Sequence, residues 1–81
     1  MRRNDIDICA DILRIARVGA KKTHLVYKAN LNFKIVKRYL SRLSEQSLIS
    51  SKNGQYITTE AGVKFLDNYR EFASMYLRGE L

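Results

Sequence analysis

The sequence predicts a mainly α-helical fold with one β-hairpin: three helices, the hairpin, then a fourth helix. Three observations carry that expectation. Apolar residues recur at helical spacing along separate stretches of the chain. Asn53-Gly54 sits between two short β-compatible runs, the strongest short-range signal for a hairpin. Residues 33–46 have two chemically distinct sides, one apolar and one basic.

The first helix is expected over residues 5–18. Asn4 or Asp5 can cap it, and Asp5 and Asp7 suit the positive end of its dipole. Ile8, Ile12 and Ile15, with Cys9, Leu13 and Ala16, supply an apolar face. Gly19 fits a C-terminal stop, since glycine tolerates the left-handed conformation. Cys9 reads as a small buried side chain, because nothing around it argues for an activated thiol. Ala20-Lys21-Lys22 is too short for a helix and reads either as a brief edge strand or as linker. Lys21 and Lys22 are candidates for phosphate contact, or simply a solvated link.

Thr23 can cap a short second helix over residues 24–29, with Val26 and Tyr27 expected to pack inward. The Tyr27 hydroxyl could instead reach a nucleic-acid backbone. His24 has no partners for a catalytic or metal role and reads as a surface residue. Asn30 and Leu31 make a tight corner. Asn32 caps the third helix by accepting a hydrogen bond from a free backbone N–H of its first turn. At 100° per residue, Phe33, Ile35, Val36, Tyr39, Leu40 and Leu43 share one broad arc. Lys34, Arg38 and Ser41 fall opposite, flanked by Lys37 and Arg42, with no acid until Glu45. An apolar back fixes the pose of such a helix, and a basic, donor-rich front suits a groove walled by phosphates.

Strands are expected at 49–52 and 55–58, because Asn53 and Gly54 tolerate the positive φ of a type I′ turn. Lys52, Asn53, Gly54 and Gln55 form the tip, which reads as a nucleic-acid contact or as an ordinary solvent turn. Thr59 then caps a last helix running to about Leu77. Val63, Leu66, Ala73 and Leu77 form one face; Phe65, Tyr69, Phe72 and Tyr76 form a second. The second face is either a homodimer interface or sinks into the chain's own fold. The order helix, helix, helix, hairpin, helix reads as one continuous winged helix-turn-helix domain with an additional C-terminal helix. Residues 1–81 form one domain in this reading: helix-turn-helix and wing over 4–59, dimerisation helix over 60–78.

The totals narrow the function. A chain of 81 residues builds a core that is marginal alone, so a dimer is favoured energetically as well. Hydrophobic residues make up 46%, too many for a disordered tail. No apolar run approaches the roughly 20 residues of a membrane span, and the first residues lack a signal-peptide pattern. An intracellular setting is therefore expected. One cysteine and one histidine make no metal set and no internal disulfide. The net charge of +7 sits almost wholly in the centre: residues 20–59 carry eight cations against Glu45, while both ends are near neutral. A basic centre between neutral ends marks a defined polyanion footprint.

The stretches L-V-Y-K-A-N-L-N-F-K-I-V-K-R-Y-L (residues 25–40) and L-I-S-S-K-N-G-Q-Y-I-T-T-E-A-G (residues 48–62) resemble the small archaeal winged-helix DNA-binding proteins. The likeness is greatest to the crenarchaeal chromatin-associated type with a C-terminal coiled-coil helix. Y-x-A-N-L-[SN]-[FY] is the more specific segment; T-x-x-G after a strand is generic for winged helices. The resemblance implies double-stranded DNA binding, a nucleoid-associated archaeal protein, and homodimerisation through the last helix.

The leading expectation is thus a dimeric double-stranded-DNA-binding protein, a transcriptional regulator or nucleoid protein. Lys34, Lys37, Arg38, Ser41 and Arg42 would face the major groove, Lys22, Thr23 and Asn32 would meet phosphate, and Lys52 and Asn53 would serve the wing. Phe65, Tyr69, Phe72 and Tyr76 would form the dimer interface. The alternative is a winged-helix protein-interaction module, or an RNA binder, since fold alone does not fix function. An enzyme is not expected: there is no phosphate loop, no metal spacing and no nucleophile with a nearby base. No cofactor or small-molecule ligand is expected.

Overall fold

The computed structural model describes the backbone of residues 3–80 and the side chains of residues 3–75. The elements are α1 (Asp5–Ile15), a 3₁₀ turn (Ala16–Val18), α2 (Lys22–Lys28), α3 (Phe33–Glu45), β1 (Ile49–Lys52), β2 (Gln55–Thr58) and α4 (Glu60–Glu80). The chain is mainly helical, with one antiparallel hairpin and a C-terminal helix, as the sequence predicts.

Local chemistry explains most of the boundaries. Asn4 opens α1 with a capping box: its side chain accepts from the Asp7 N–H at 2.8 Å, and the Asp7 carboxylate accepts from the Asn4 N–H at 3.2 Å. The helix tightens into the 3₁₀ turn and stops at Gly19, whose φ of 88° disfavours other residues. Asn32 caps α3, accepting from the Ile35 N–H at 2.8 Å. Thr59 caps α4, accepting from the Gly62 N–H at 3.1 Å. The hairpin closes at Asn53 and Gly54, with φ of 53° and 78°, and pairs Ile49 with Thr58 and Lys52 with Gln55.

The core gathers Ile12 and Leu13 of α1, Leu25 of α2, Val36, Leu40 and Leu43 of α3, Ile49 of β1 and Leu66 of α4. Cys9 is half-buried at its margin, and burial pushes its thiol up. Inside, the Thr58 hydroxyl donates to the Leu13 carbonyl at 2.6 Å and ties β2 to α1. Gly62 lies where α4 crosses the base of the hairpin. A Cβ there would stand 2.2 Å from the Leu48 carbonyl oxygen and 2.5 Å from Thr58 Cγ2. The T-x-x-G spacing therefore places a threonine cap and a side-chain-free crossing in one turn.

Four expectations need correction. The second helix starts at Lys22, so Thr23 lies inside its first turn; the cap position is Lys21, which makes no side-chain cap bond. Ala20 decides this by bridging Tyr56 in both directions, at 2.9 and 2.8 Å, so the chain turns directly after it. Tyr27 is 86% exposed while Val26 is half-buried. Leu25 and Ala29 define the inward side of α2, and a residue midway between them points away from it. Phe33 is 53% exposed: as the first residue of α3 it lies at the end of the apolar arc, and its side chain leans back past the helix start. Finally, α4 continues to Glu80 rather than ending near Leu77.

Candidate nucleic-acid interface

The helix-turn-helix corner is held from three sides. Asn30 takes φ of 56° at the turn, a conformation asparagine tolerates. The Leu31 N–H returns to the Val26 carbonyl at 3.0 Å. Arg3 reaches in from the other end of the sequence, donating to the carbonyls of Ala29 at 2.7 Å and Asn30 at 3.3 Å, and to Asp11 at 2.9 Å. A cation on the last carbonyls of α2 also complements that helix's negative end. Sequence spacing could not reveal this contact, since 26 residues separate Arg3 from Ala29.

With the corner fixed, α3 presents its basic side outward. Lys34, Lys37, Arg38, Ser41 and Arg42 are all exposed and, with Glu45, line a shallow groove of about 400 Å³. Among the described residues, no acid pairs with Lys34, Lys37 or Arg38. Arg42 differs. Its guanidinium lies 5.6 Å from the centre of the Tyr39 ring and 4.0 Å from Asp5 Oδ2. The Tyr39 hydroxyl donates to the same Asp5 carboxylate, which, together with burial, pushes the phenol up and keeps it neutral. Arg42 is therefore partly satisfied within the chain, whereas the other three cations have no acid partner among the described residues.

The structure joins some of the other sequence-predicted residues to this face and separates others. Lys22 lines a neighbouring hollow of about 200 Å³ with Lys37, Ser41, Ser44 and Tyr56, so the start of α2 extends the basic surface. Thr23 faces elsewhere, into a hollow of about 550 Å³ with Lys21, His24, Tyr27 and Gln55. Asn32 is exposed beside Lys34, but its side-chain oxygen is engaged in the cap. Lys52 and Asn53 are exposed at the hairpin turn, outside the α3 groove.

A family model described as "Winged helix-turn-helix" matches residues 2–76. The chain belongs to the winged helix-turn-helix family. Among solved structures, this winged helix-turn-helix chain is similar to the crystal structure of Sso10a-2, a DNA-binding protein from Sulfolobus solfataricus. The match has a TM-score of 0.82 and 26% identity, covering 94% of this chain and 84% of that one. It agrees with the resemblance to small archaeal winged-helix proteins drawn from residues 25–40 and 48–62. No curated protein matches.

In this winged helix-turn-helix chain, the second face of α4 divides. Phe65 and Tyr69 are half-buried against the chain's own core, and the Tyr69 hydroxyl donates to Asp7. That bond is the main reason the Asp7 carboxyl sits below its ordinary range; it also pushes Tyr69 up to about 12, with help from burial. Further along, Phe72 is 69% exposed and Met75 is also exposed. The side chains of Tyr76 and Leu77 lie outside the described residues.

Proposed function

We propose that the chain binds double-stranded DNA, as a transcriptional regulator or nucleoid-associated protein, with α3 in the major groove and the β1–β2 hairpin as wing. One observation carries this reading: Lys34, Lys37 and Arg38 project from one side of α3, and among the described residues no acid forms an ion pair with them. Their apolar counterparts Val36, Leu40 and Leu43 anchor the opposite side in the core. The similar Sulfolobus protein is a DNA-binding protein, which supports the same reading, and membership of the winged helix-turn-helix family points to a non-enzymatic protein. Arg38 is the natural reader of guanine, because its fork engages two acceptors at once. Lys34, Lys37, Ser41 and Arg42 would face the major groove beside it, with Lys22 extending the charge; Asn32 would meet phosphate at the start of α3, and Lys52 and Asn53 would serve the wing, while Thr23 faces a separate hollow.

Each phosphate neutralised adds about −0.9 to the slope of log affinity against log salt. The Arg38→Ala, Lys34→Ala double variant should fold normally, because both side chains are exposed; it should lose about one unit of that slope through Lys34 and its guanine preference through Arg38. Anisotropy titration against duplex DNA, single strands and RNA tests the assignment. A folded double variant that binds duplex like wild type sinks it; preference for RNA, or binding to no nucleic acid at low salt, favours the RNA or protein-module alternative.

We also infer that residues 1–81 work as one domain and that α4 forms a homodimer interface, Phe72 and Met75 being its exposed apolar residues among those described. Phe65 and Tyr69 would then support the interface from the core side, with Tyr76 beyond them. Phe72→Glu is the clean probe, since Tyr69 also serves the fold. Wild type should sediment as a dimer and Phe72→Glu as a monomer; a wild-type monomer at high micromolar concentration ends this idea. No helix among the described residues is long and apolar enough to cross a membrane; a nucleoid location in the cytoplasm follows from the DNA reading.

A further inference from the structure

We propose that Phe33 reads thymine: its ring makes apolar contact with a thymine 5-methyl group when α3 lies in the major groove. The inference rests on the duplex-DNA reading above and adds a base preference to it.

Three observations converge on this residue. Phe33 is the first residue of α3 and is 53% exposed, although its place in the sequence suits the buried arc. Its origin is rigid: Asn32 caps the helix at 2.8 Å, and Arg3 and the Leu31–Val26 bond hold the corner just before it. Its neighbours one residue and one turn on, Lys34 and Lys37, are exposed cations that pair with no acid among the described residues.

The chemistry of the groove supplies the counterpart. Phosphates satisfy the two lysines, but they offer an aromatic ring nothing. Along the major groove, guanine, adenine and cytosine present donors and acceptors; thymine also presents a methyl group. Helix-turn-helix proteins bring the N-terminal residues of the recognition helix to the base edges, and Phe33 occupies that end. Water is displaced from ring and methyl together, so the contact adds affinity at an A·T step and little elsewhere. A polar residue would serve equally well if this position met only phosphate.

The test uses a duplex of alternating A·T steps and the same duplex with deoxyuridine at every thymidine. Deoxyuridine removes the methyl and keeps every hydrogen-bonding group. Anisotropy titrations at one salt concentration compare wild type with Phe33→Ala, whose folding is checked by circular dichroism. Wild type should favour the thymine duplex about four-fold per methyl contacted, the amount one buried CH₂ contributes. In Phe33→Ala the ratio should fall to about one. This cycle cancels any change in duplex shape that uracil causes, since both proteins meet the same two duplexes. Equal wild-type binding to both duplexes, or a thymine preference that persists in Phe33→Ala, overturns the assignment and leaves duplex binding standing. If wild type binds neither duplex at low salt, the DNA reading falls and this inference with it. A lower sedimentation coefficient for Phe33→Ala with the thymine ratio unchanged makes the ring a protein contact instead, and overturns the proposal.

Discussion

Replacing Gly62 by alanine sets two effects of opposite sign against each other. In an ordinary helix the change adds stability, about 1 kcal/mol. Here the new Cβ would stand 2.2 Å from the Leu48 carbonyl oxygen and 2.5 Å from Thr58 Cγ2. A carbon and a carbonyl oxygen normally approach no closer than about 3.3 Å, so the start of α4 must retreat by roughly 1 Å. The retreat acts on the bonds that hold that turn. The Thr59 N–H donates to Leu48 O at 3.1 Å, and the Thr59 hydroxyl donates to Ser47 O at 2.7 Å. Stretching both beyond hydrogen-bonding range costs about 1 kcal/mol each, and overpacking adds about 1–3 kcal/mol. After subtracting the helix-propensity gain, we expect a loss of about 2–4 kcal/mol. For a domain of this size, 1 kcal/mol corresponds to about 4–8 °C in Tm, so Tm should fall by roughly 8–32 °C. Thermal and urea unfolding followed by circular dichroism measure this directly. A Gly62→Ala protein as stable as wild type, or more so, would show that α4 has room at the crossing and that the geometric argument is wrong.

The Asp7–Tyr69 bond predicts instability at both ends of the pH scale. Asp7 is held below the ordinary carboxylate value of 3.8, so its contribution is full above that pH and is lost as pH falls through the lower folded value. Tyr69 is raised from 10 to about 12, so its contribution is full below pH 10 and is lost as pH rises towards 12. Tyr69→Phe keeps the ring and should flatten both limbs in urea-unfolding profiles; unchanged limbs would exclude the bond as their source. Asn32→Ala should cost about 1 kcal/mol by removing the α3 cap, measured as a Tm fall of about 4–8 °C. Asn32→Asp retains the cap and stability but places a negative charge beside Lys34, so duplex affinity should drop in anisotropy titrations while Tm holds.

What the sequence revealed depends on how far apart the deciding groups lie. The caps at Asn4, Asn32 and Thr59 are contacts over three residues, and the Asn53-Gly54 turn is decided by its own φ preferences. The basic side of α3 follows from helical geometry alone. By contrast, the start of α2 is decided by Ala20 pairing with Tyr56, and the corner after it by Arg3; neither contact has a local signature. Periodicity counted Phe33 with the buried arc, but it cannot see that the packing leaves this side chain 53% exposed at the end of the helix. It gave α4 a second apolar face, and could not show that Asp7 would draw Tyr69 inward across 62 residues. Where a side chain's partner is distant in sequence, spacing shows which faces exist and not which are taken.

The pairing of Ala20 with Tyr56 bears on how the hairpin meets a curved surface. One residue in from the turn-end pair, at Tyr56, β2 runs between β1 on one edge and Ala20 on the other, and Asn53 and Gly54 project beyond that bracing. The hairpin is thus clamped close to its tip rather than at its root. Amide exchange should be slow at Tyr56 and fast at Gly54. A tip anchored this way keeps a set distance from the helices, so hairpin and α3 would meet a groove as one rigid unit.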